Sequence, residues 1–548
     1  MNLLLAFVIG MIVTMALIPP LMRVAVKLHV LDDPESRKVH TTPMPRIGGI
    51  AMIAAVLPTL AFCLPMDRVL SAYIGAVVIL LVFGAWDDRH ALGALTKLLG
   101  QLIAVLVFMI GGDVYIDTLT LSTLQILPQW AGFALTLVFL LGTTNAINLS
   151  DGLDGLAGGT MLLCCAALAL LAQNFHEGLV QTVSVVLMGG LLGFLRFNTF
   201  PARVFMGDAG SQFLGFTAGA LSVLLTKGSA TPVSVALPLL ILGFPLLDTL
   251  SVMALRIRAG RSPFSADRSH FHHRLLSLGF DHHEAVIVIY AVQCLLLLLA
   301  WQFRFETDLL IVTTFFVFAF LFTAVFSRLE RSGWRWRSSG ETRRSLITRL
   351  REWFIAKQRL PRWSLITAFA CAVVYLLGVG ICAYPPSADL GVLGAVGVLV
   401  LALGCLFMRG RAPDSWLAKG ALYVGVIMAV YLDQLTAGNS VALQAENWIV
   451  LPVLALAVAI ATRLTGNRRF EATPLDLLVI FAAICLPSLP GLSGAAHNYG
   501  SGAVKLVLLC YAVELILALG MRLRTALIGA VGAFYLLAVV RAFGTSFK

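Results

Sequence analysis

Residues Ala131–Leu170 read AGFALTLVFLLGTTNAINLSDGLDGLAGGTMLLCCAALAL: an apolar run, a polar island and a second apolar run. The island, Thr143–Gly159, places Asp151 and Asp154 three positions apart, each followed by a glycine. In a helix, residues three apart share a face, and glycine permits tight turns that bring backbone close to a ligand. The stretch therefore reads as a spanning helix that delivers two acids to a membrane surface, followed by a second span that returns.

The rest of the chain supports that reading. Of its 548 residues, 59% are hydrophobic and 12% charged, where soluble proteins hold roughly 45–50% apolar residues. Stretches long enough to cross hydrocarbon, about 17–25 residues each, recur from end to end. The expected fold is all-α and polytopic, with about eleven spans in the first part and about seven in a C-terminal extension. The first set is expected near 3–22, 47–64, 69–86, 98–111, 129–144, 158–174, 180–195, 211–226, 233–254, 285–301 and 309–327. Leu3–Met22 lacks the basic start and small-residue cleavage site of a signal peptide, so it counts as a retained span. The nine cysteines show no metal or redox spacing and sit mostly in apolar segments, where a thiol packs as a small hydrophobe.

Basic residues mark the cytoplasmic loops. Twenty-five Lys and Arg fall in 23–46, 87–97, 145–157, 196–210, 255–284 and 328–363, against three in the alternate loops. The first set is thus cytoplasmic and the N-terminus outside. Five polar motifs then converge on the cytoplasmic face: DDPESRKVHTTPMPRIGG (Asp32–Gly49), WDDRHALGALTKLLGQ (Trp86–Gln101), the opening island, FMGDAGS (Phe205–Ser211) and SPFSADRSHFHHRL (Ser262–Leu275). Nothing comparable occupies the outer loops, which implies one composite site.

Acids, glycines, arginines and histidines at a membrane surface suit a divalent cation held by a few carboxylates and by substrate phosphates. Phosphoryl transfer needs such a site, because its catalysis is mostly positioning and charge neutralisation. Apolar helices follow both DGLDGLAGG and MGDAGS, so their free N–H groups are candidates to receive phosphate. The histidines fit no standard zinc spacing, and no cysteine accompanies them.

In this order and spacing the five motifs resemble the polyprenyl-phosphate N-acetylhexosamine-1-phosphate transferases, over about residues 1–330. The resemblance implies transfer of a sugar 1-phosphate from a UDP-N-acetylhexosamine to undecaprenyl phosphate, releasing UMP, with Mg²⁺ or Mn²⁺. It places the enzyme in the bacterial inner membrane with its site facing the cytoplasm, at the start of cell-envelope polysaccharide synthesis. It also suggests a homodimer. HFHHRLLSLGF and RKVHTTPMPRIGG are similar to the N-acetylglucosamine-type branch, so UDP-N-acetylglucosamine is the default donor; N-acetylgalactosamine and N-acetylfucosamine stay open.

Residue by residue, the resemblance makes Asp208 the metal ligand and Asp87 and Asp88 the catalytic acidic pair near the lipid phosphate. Asn148, Asp151 and Asp154 match the nucleotide-binding part. His270, His272 and His273 are expected to contact the donor's phosphates or sugar, with Arg268 as a phosphate fork and Lys97 as a point-charge partner for Asp87, Asp88 or a phosphate. Asp248, near a span's cytoplasmic end, is a further candidate; the alternative is that it satisfies backbone groups beside Pro245.

The domains expected are a transferase domain at 1–327, a basic linker at 328–363 and a C-terminal transmembrane domain of unassigned role at 364–548. The linker carries eleven Lys or Arg with tryptophans interleaved, a composition suited to anionic lipid headgroups rather than nucleic acid beside a span. A rival class, a transporter or lipid flippase, would place ionisable groups near mid-membrane and often repeat internally; here the acids gather at one surface and no repeat is evident. A catalytically dead scaffold is a third reading, against which the complete acid set argues.

Overall fold

The computed structural model describes residues 3–32, 43–121, 123–227, 233–262, 269–336, 359–383, 385–407, 416–436, 441–464, 495–519 and 521–544. The chain divides into two compact units, Met1–Ser338 and Ser339–Lys548. Both are helical, and eleven helices among the described residues are long and apolar enough to cross a membrane.

The first unit runs α1 (Leu3–Leu28), α2 (Gly48–Cys63), α3 (Arg68–Arg89), α4 (Ala94–Gly112), α5 (Gln129–Ser150), α6 (Leu156–Asn174), α7 (Gly178–Asn198) and α8 (Gly207–Lys227). It continues through α9 (Pro238–Ile241), α10 (Gly243–Arg258), α11 (Phe271–Ser277), α12 (His282–Gln302) and α13 (Asp308–Arg331). At its centre stands α8, with 94% of its apolar stretch buried against 17% for α13. It packs against α2, α3, α5 and α6. Close approach to α3 requires Gly84, where any side-chain carbon would overlap the Ala209 backbone.

The span expected at 233–254 is broken. α9 ends at Ile241, Leu242 leaves helical geometry, and α10 starts at Gly243. Pro238, Gly243 and Pro245 weaken helix continuity there, and a break in hydrocarbon is tolerable only if neighbours satisfy the freed backbone groups. Gln293 of α12 does so: its Nε2 donates to the Ile241 carbonyl at 2.7 Å and its Oε1 accepts from Phe244 N at 3.0 Å.

The island is the last two turns of α5, the start of α6 and the loop Asp151–Gly155 between them; both acids lie in that loop, so Asp151 and Asp154 do not share a helical face. Asp151 ends α5, and Gly155 precedes α6 in the left-handed region at φ 78°. Successive helices alternate direction, so the loops after α1, α3, α5, α7 and α10 gather at one end. At the other end, β1 (Thr118–Thr120) and β2 (Leu124–Ile126) form an antiparallel hairpin. Buried Asp308 accepts from Ala236 N at 2.8 Å and also from Ser234 and Thr120, tying the hairpin to α13.

In the second unit the described helices are Arg359–Cys382, Ala388–Phe407, Trp416–Thr436, Val441–Leu464, Ala495–Leu519 and Met521–Gly544. They overlap six of the seven apolar stretches expected there, 364–384, 390–408, 419–436, 447–463, 504–521 and 525–540; the other, 473–489, lies outside the described residues. Its buried Asp433 accepts from Tyr375 Oη at 2.8 Å and Lys505 Nζ at 2.6 Å.

Candidate active site

Helix ends deliver the polar motifs to a common cluster. Lys97, in the first turn of α4, lies with Nζ 2.6 Å from Asp87 Oδ2 and 2.9 Å from Asp208 Oδ1. Its ammonium thus bridges two carboxylates from α3 and α8. Asn148, in the last turn of α5, donates from Nδ2 to Asp208 Oδ1 at 2.6 Å and to Ser211 Oγ at 2.7 Å. Asp87 Oδ1 accepts from Leu92 N at 2.7 Å, fixing the turn into α4.

Asp88 has a different task from its neighbour. Its two oxygens accept from Asp208 N at 2.7 Å and Ala209 N at 3.1 Å, so it caps the start of α8 from a neighbouring helix, where a negative charge is favoured. The first amides of α8, expected to be open to phosphate, are therefore taken. Gly207 makes this possible: its φ is 73°, and a side-chain carbon there would overlap the Asp88 carboxylate.

One helical turn deeper lies a second polar layer that sequence reading missed. Gln101 Nε2 donates to Asn145 Oδ1 at 3.3 Å and Gln212 Oε1 at 3.2 Å, and Asn145 Nδ2 returns to Gln101 Oε1 at 2.7 Å. Gln101 follows Lys97 by four positions, Gln212 follows Asp208 by four, and Asn145 precedes Asn148 by three. That spacing was the available signal.

The first loop reaches the cluster through backbone. Phe205 N donates to the Pro45 carbonyl at 2.9 Å, Gly48 N to Phe205 O at 3.0 Å, and Gly49 N to Met206 O at 2.8 Å. Arg46, also unpredicted, pairs with Asp32. Burial works against its charge, but Asp32, Asp88 and Asp208 outweigh burial and hold its pKa above the ordinary value.

The island loop is pinned on several sides. Gly155 N donates to Asn198 Oδ1 at 3.0 Å, Tyr290 Oη to Gly155 O at 2.7 Å, and Ala202 N to Asp154 Oδ2 at 2.9 Å. Asp154 therefore spends one carboxylate oxygen on its own scaffold. Asp151 is different. Burial first, then the charges of Asp208 and Asp154, push its carboxyl from 3.8 up to about 7.

The histidines meet the island. His272 lies against Gly152, where an added side-chain carbon would overlap its ring. The His272 and His273 rings are 4.2 Å apart, and those of His270 and His272 stack at 5.8 Å. Burial, followed by the neighbouring His273, pushes His272 down to about 3, so its ring is neutral at physiological pH. Asp248 does not serve the backbone near Pro245. It holds His270 Nδ1 at 2.8 Å through Oδ2 and accepts from Phe271 N at 2.8 Å through Oδ1. Arg268 lies outside the described residues.

No group of three or more His, Cys, Asp or Glu side chains that could hold a metal occurs among the described residues. The donor set still suits a hard cation. Asp87 Oδ2 is buried and, beyond its ion pair with Lys97, makes no hydrogen bond, and Asp208 stands opposite it. One or two carboxylates plus substrate phosphates is the usual ligand set of Mg²⁺.

A family model described as glycosyl transferase family 4 matches residues 70–226. A probable undecaprenyl-phosphate N-acetylglucosaminyl 1-phosphate transferase of Bacillus subtilis is 37% identical over 290 residues, covering 52% of this chain and 81% of that protein. The chain belongs to glycosyl transferase family 4. Its similarity extends to a decaprenyl-phosphate N-acetylglucosaminephosphotransferase of Mycobacterium tuberculosis, 35% identical over 303 residues, 50% of this chain and 75% of the relative. An undecaprenyl-phosphate alpha-N-acetylglucosaminyl 1-phosphate transferase of Escherichia coli is 31% identical over 284 residues, 50% and 76% respectively. The glycosyl transferase family 4 match takes in the segments bearing Asp87, Asp88, Lys97, Asn148, Asp151, Asp154 and Asp208.

Proposed function

We propose that this protein transfers N-acetylglucosamine 1-phosphate from its UDP-sugar to undecaprenyl phosphate, releasing UMP. The observation that carries the reading is the Asp87–Lys97–Asp208 bridge at the membrane end of α3, α4 and α8, joined to the names of the relatives. The excess of basic residues in the loops at this end supports a site facing the cytoplasm, and the bacterial relatives support the inner membrane as its location.

A bound Mg²⁺ or Mn²⁺, held by Asp208 with Asp87 beside it, would neutralise the donor diphosphate. Lys97 supplies a fixed positive charge for phosphate in the same place. An oxygen of the lipid phosphate attacks the donor's β-phosphorus, and the bond from that phosphorus to the bridging oxygen breaks as UMP leaves. A phosphate already ionised needs no strong base, so Asp87 acts by placing Lys97. Asp88 holds α8, and hence Asp208, in register. The neutral His272 ring beside Gly152 is suited to hydrogen bonding with sugar or nucleotide groups, not to charge neutralisation.

The test is UMP release by the full chain in lipid, with undecaprenyl phosphate, Mg²⁺ and each UDP-N-acetylhexosamine in turn. Release with UDP-N-acetylglucosamine, lost in Asp208→Asn and on chelation, is expected. Preference for a different hexosamine would revise the donor, and no release from folded protein would refute the reading.

A further inference from the structure

α11 carries His272 and His273 but is only seven residues long. Isolated helices shorter than about 12–15 residues are marginal in water, so its position must come from what grips it. Asp248 holds one end through His270 and Phe271 N. The other end is held by the last turn of α13. Arg274 Nε and Nη2 each donate at 2.8 Å to one oxygen of Glu330, a two-pronged fork, and the guanidinium stacks over Phe271 at 4.8 Å and Phe326 at 5.4 Å.

Just beyond α13 the chain turns at Gly333, φ 67°, and folds back. Trp336 N donates to the Leu278 carbonyl at 2.9 Å, and the Trp336 ring stacks on Phe280 at 5.2 Å and 11°. Gly333–Trp336 is therefore a strap across the turn between α11 and α12. Arg274 Nη1 is buried without a hydrogen bond, so the hold of Arg274 on Glu330 rests on Nε and Nη2.

We propose that Glu330, acting through Arg274, together with the Trp336 strap, positions the histidine helix against the Gly152 loop and thereby sets affinity for the UDP-sugar. These are positioning residues, and the proposal rests on the transferase reading. A fork of this kind is geometry-specific, and lysine cannot reproduce it.

The experiment uses the full chain in lipid nanodiscs, comparing wild type with Glu330→Gln, Glu330→Asp, Arg274→Lys and Trp336→Ala. UMP-release kinetics are measured for both substrates, alongside hydrogen exchange over 269–281 and 150–156. For Glu330→Gln we expect the donor KM to rise about fivefold or more, a loss on the scale of one charge-assisted hydrogen bond. The lipid-phosphate KM and kcat stay within about twofold, and exchange quickens in those two segments. Glu330→Asp should recover part of the affinity and Arg274→Lys little of it. A fall in kcat at unchanged donor KM, an equal rise in both KM values, or unchanged exchange overturns the proposal. If Glu330→Gln fails to fold, Trp336→Ala at the exposed end of the strap carries the same expectations. Should the wild type release no UMP, the transferase reading has failed, and the exchange data still decide whether Glu330 holds the helix.

Discussion

At the scale of single residues, the site is governed by how few charges neutralise one another. Lys97 pairs with both Asp87 and Asp208. Replacing it with methionine leaves two carboxylates facing each other and removes the fixed cation for phosphate. UMP release by Lys97→Met should fall on the order of 10²–10³-fold, the usual effect of deleting one electrostatic contact of a transition state. A loss under tenfold at saturating substrate would show that Lys97 is not part of the chemistry. Asp151 gives a pH prediction. Its carboxyl, pushed from 3.8 up to about 7 in the folded protein, binds a proton more tightly folded than unfolded. The protonated form is therefore favoured in the fold: the contribution of Asp151 to stability is fully present below about pH 4 and is lost as pH rises through about 7. In metal-free protein, melting temperatures from pH 4.5 to 8 should show Asp151→Asn gaining on wild type as pH increases. Parallel curves would mean that Asp151 carries no such burden. Asp87, Lys97, Asn148 and Asp208, named from sequence, do meet. Asp88 and Asp154 were legible only as acids: that backbone amides occupy their oxygens depends on loop paths that no residue spacing reveals.

Elements explain why the cluster is rigid and why part of it escaped sequence reading. Apolar length located the helices well because hydrocarbon forces backbone groups to pair within each span. It failed at 233–254, because the break at Leu242 is made tolerable by Gln293, a residue of another helix. Replacing Gln293 with leucine keeps the size and removes both hydrogen bonds, leaving the buried Phe244 amide without its partner and the Ile241 carbonyl with only the weak Cys164 thiol donor at 3.1 Å. Unsatisfied buried groups cost about 1–3 kcal/mol each, so thermal stability in detergent should drop measurably, and unchanged melting would show that other groups fill the break. The start of α8 offers a stricter case. Gly207→Ala meets both a left-handed backbone, about 1–2 kcal/mol for a residue with a side chain, and overlap with the Asp88 carboxylate. It should displace Asp208 and abolish UMP release, whereas release at half the wild-type rate or better would mean that α8 can shift without harm. The Gln101–Asn145–Gln212 layer was in principle readable as the next turn behind the motif residues. It went unread because amides inside an apolar span look like isolated exceptions until three helices bring them together.

For the whole molecule, the question is where the transferase ends. Sequence resemblance faded near residue 328, and the expected first domain closed at residue 327. The compact unit closes later, at Ser338, because two groups just past the apolar end of α13 still belong to the site's support: Glu330, which grips Arg274, and Trp336, which lies on Phe280. Hydropathy could not reveal this, since Glu330 and Trp336 sit in a basic, tryptophan-bearing stretch that reads as a surface linker. The two possible boundaries make different predictions. A chain ending at Ser338 keeps the whole first compact unit, with every described site residue and both grips, and should retain UMP release with a donor KM within about twofold of the full protein. A chain ending at Leu329 loses the fork and the strap while leaving every motif residue in place, and its donor KM should rise at least as far as in Glu330→Gln. Equal activity of the two truncations would mean that α11 is held well enough by Asp248 alone. Loss of activity in the Ser338 chain, if it remains folded, would assign the second unit a part in the reaction, and the buried Asp433, Lys505 and Tyr375 cluster would be the first place to substitute.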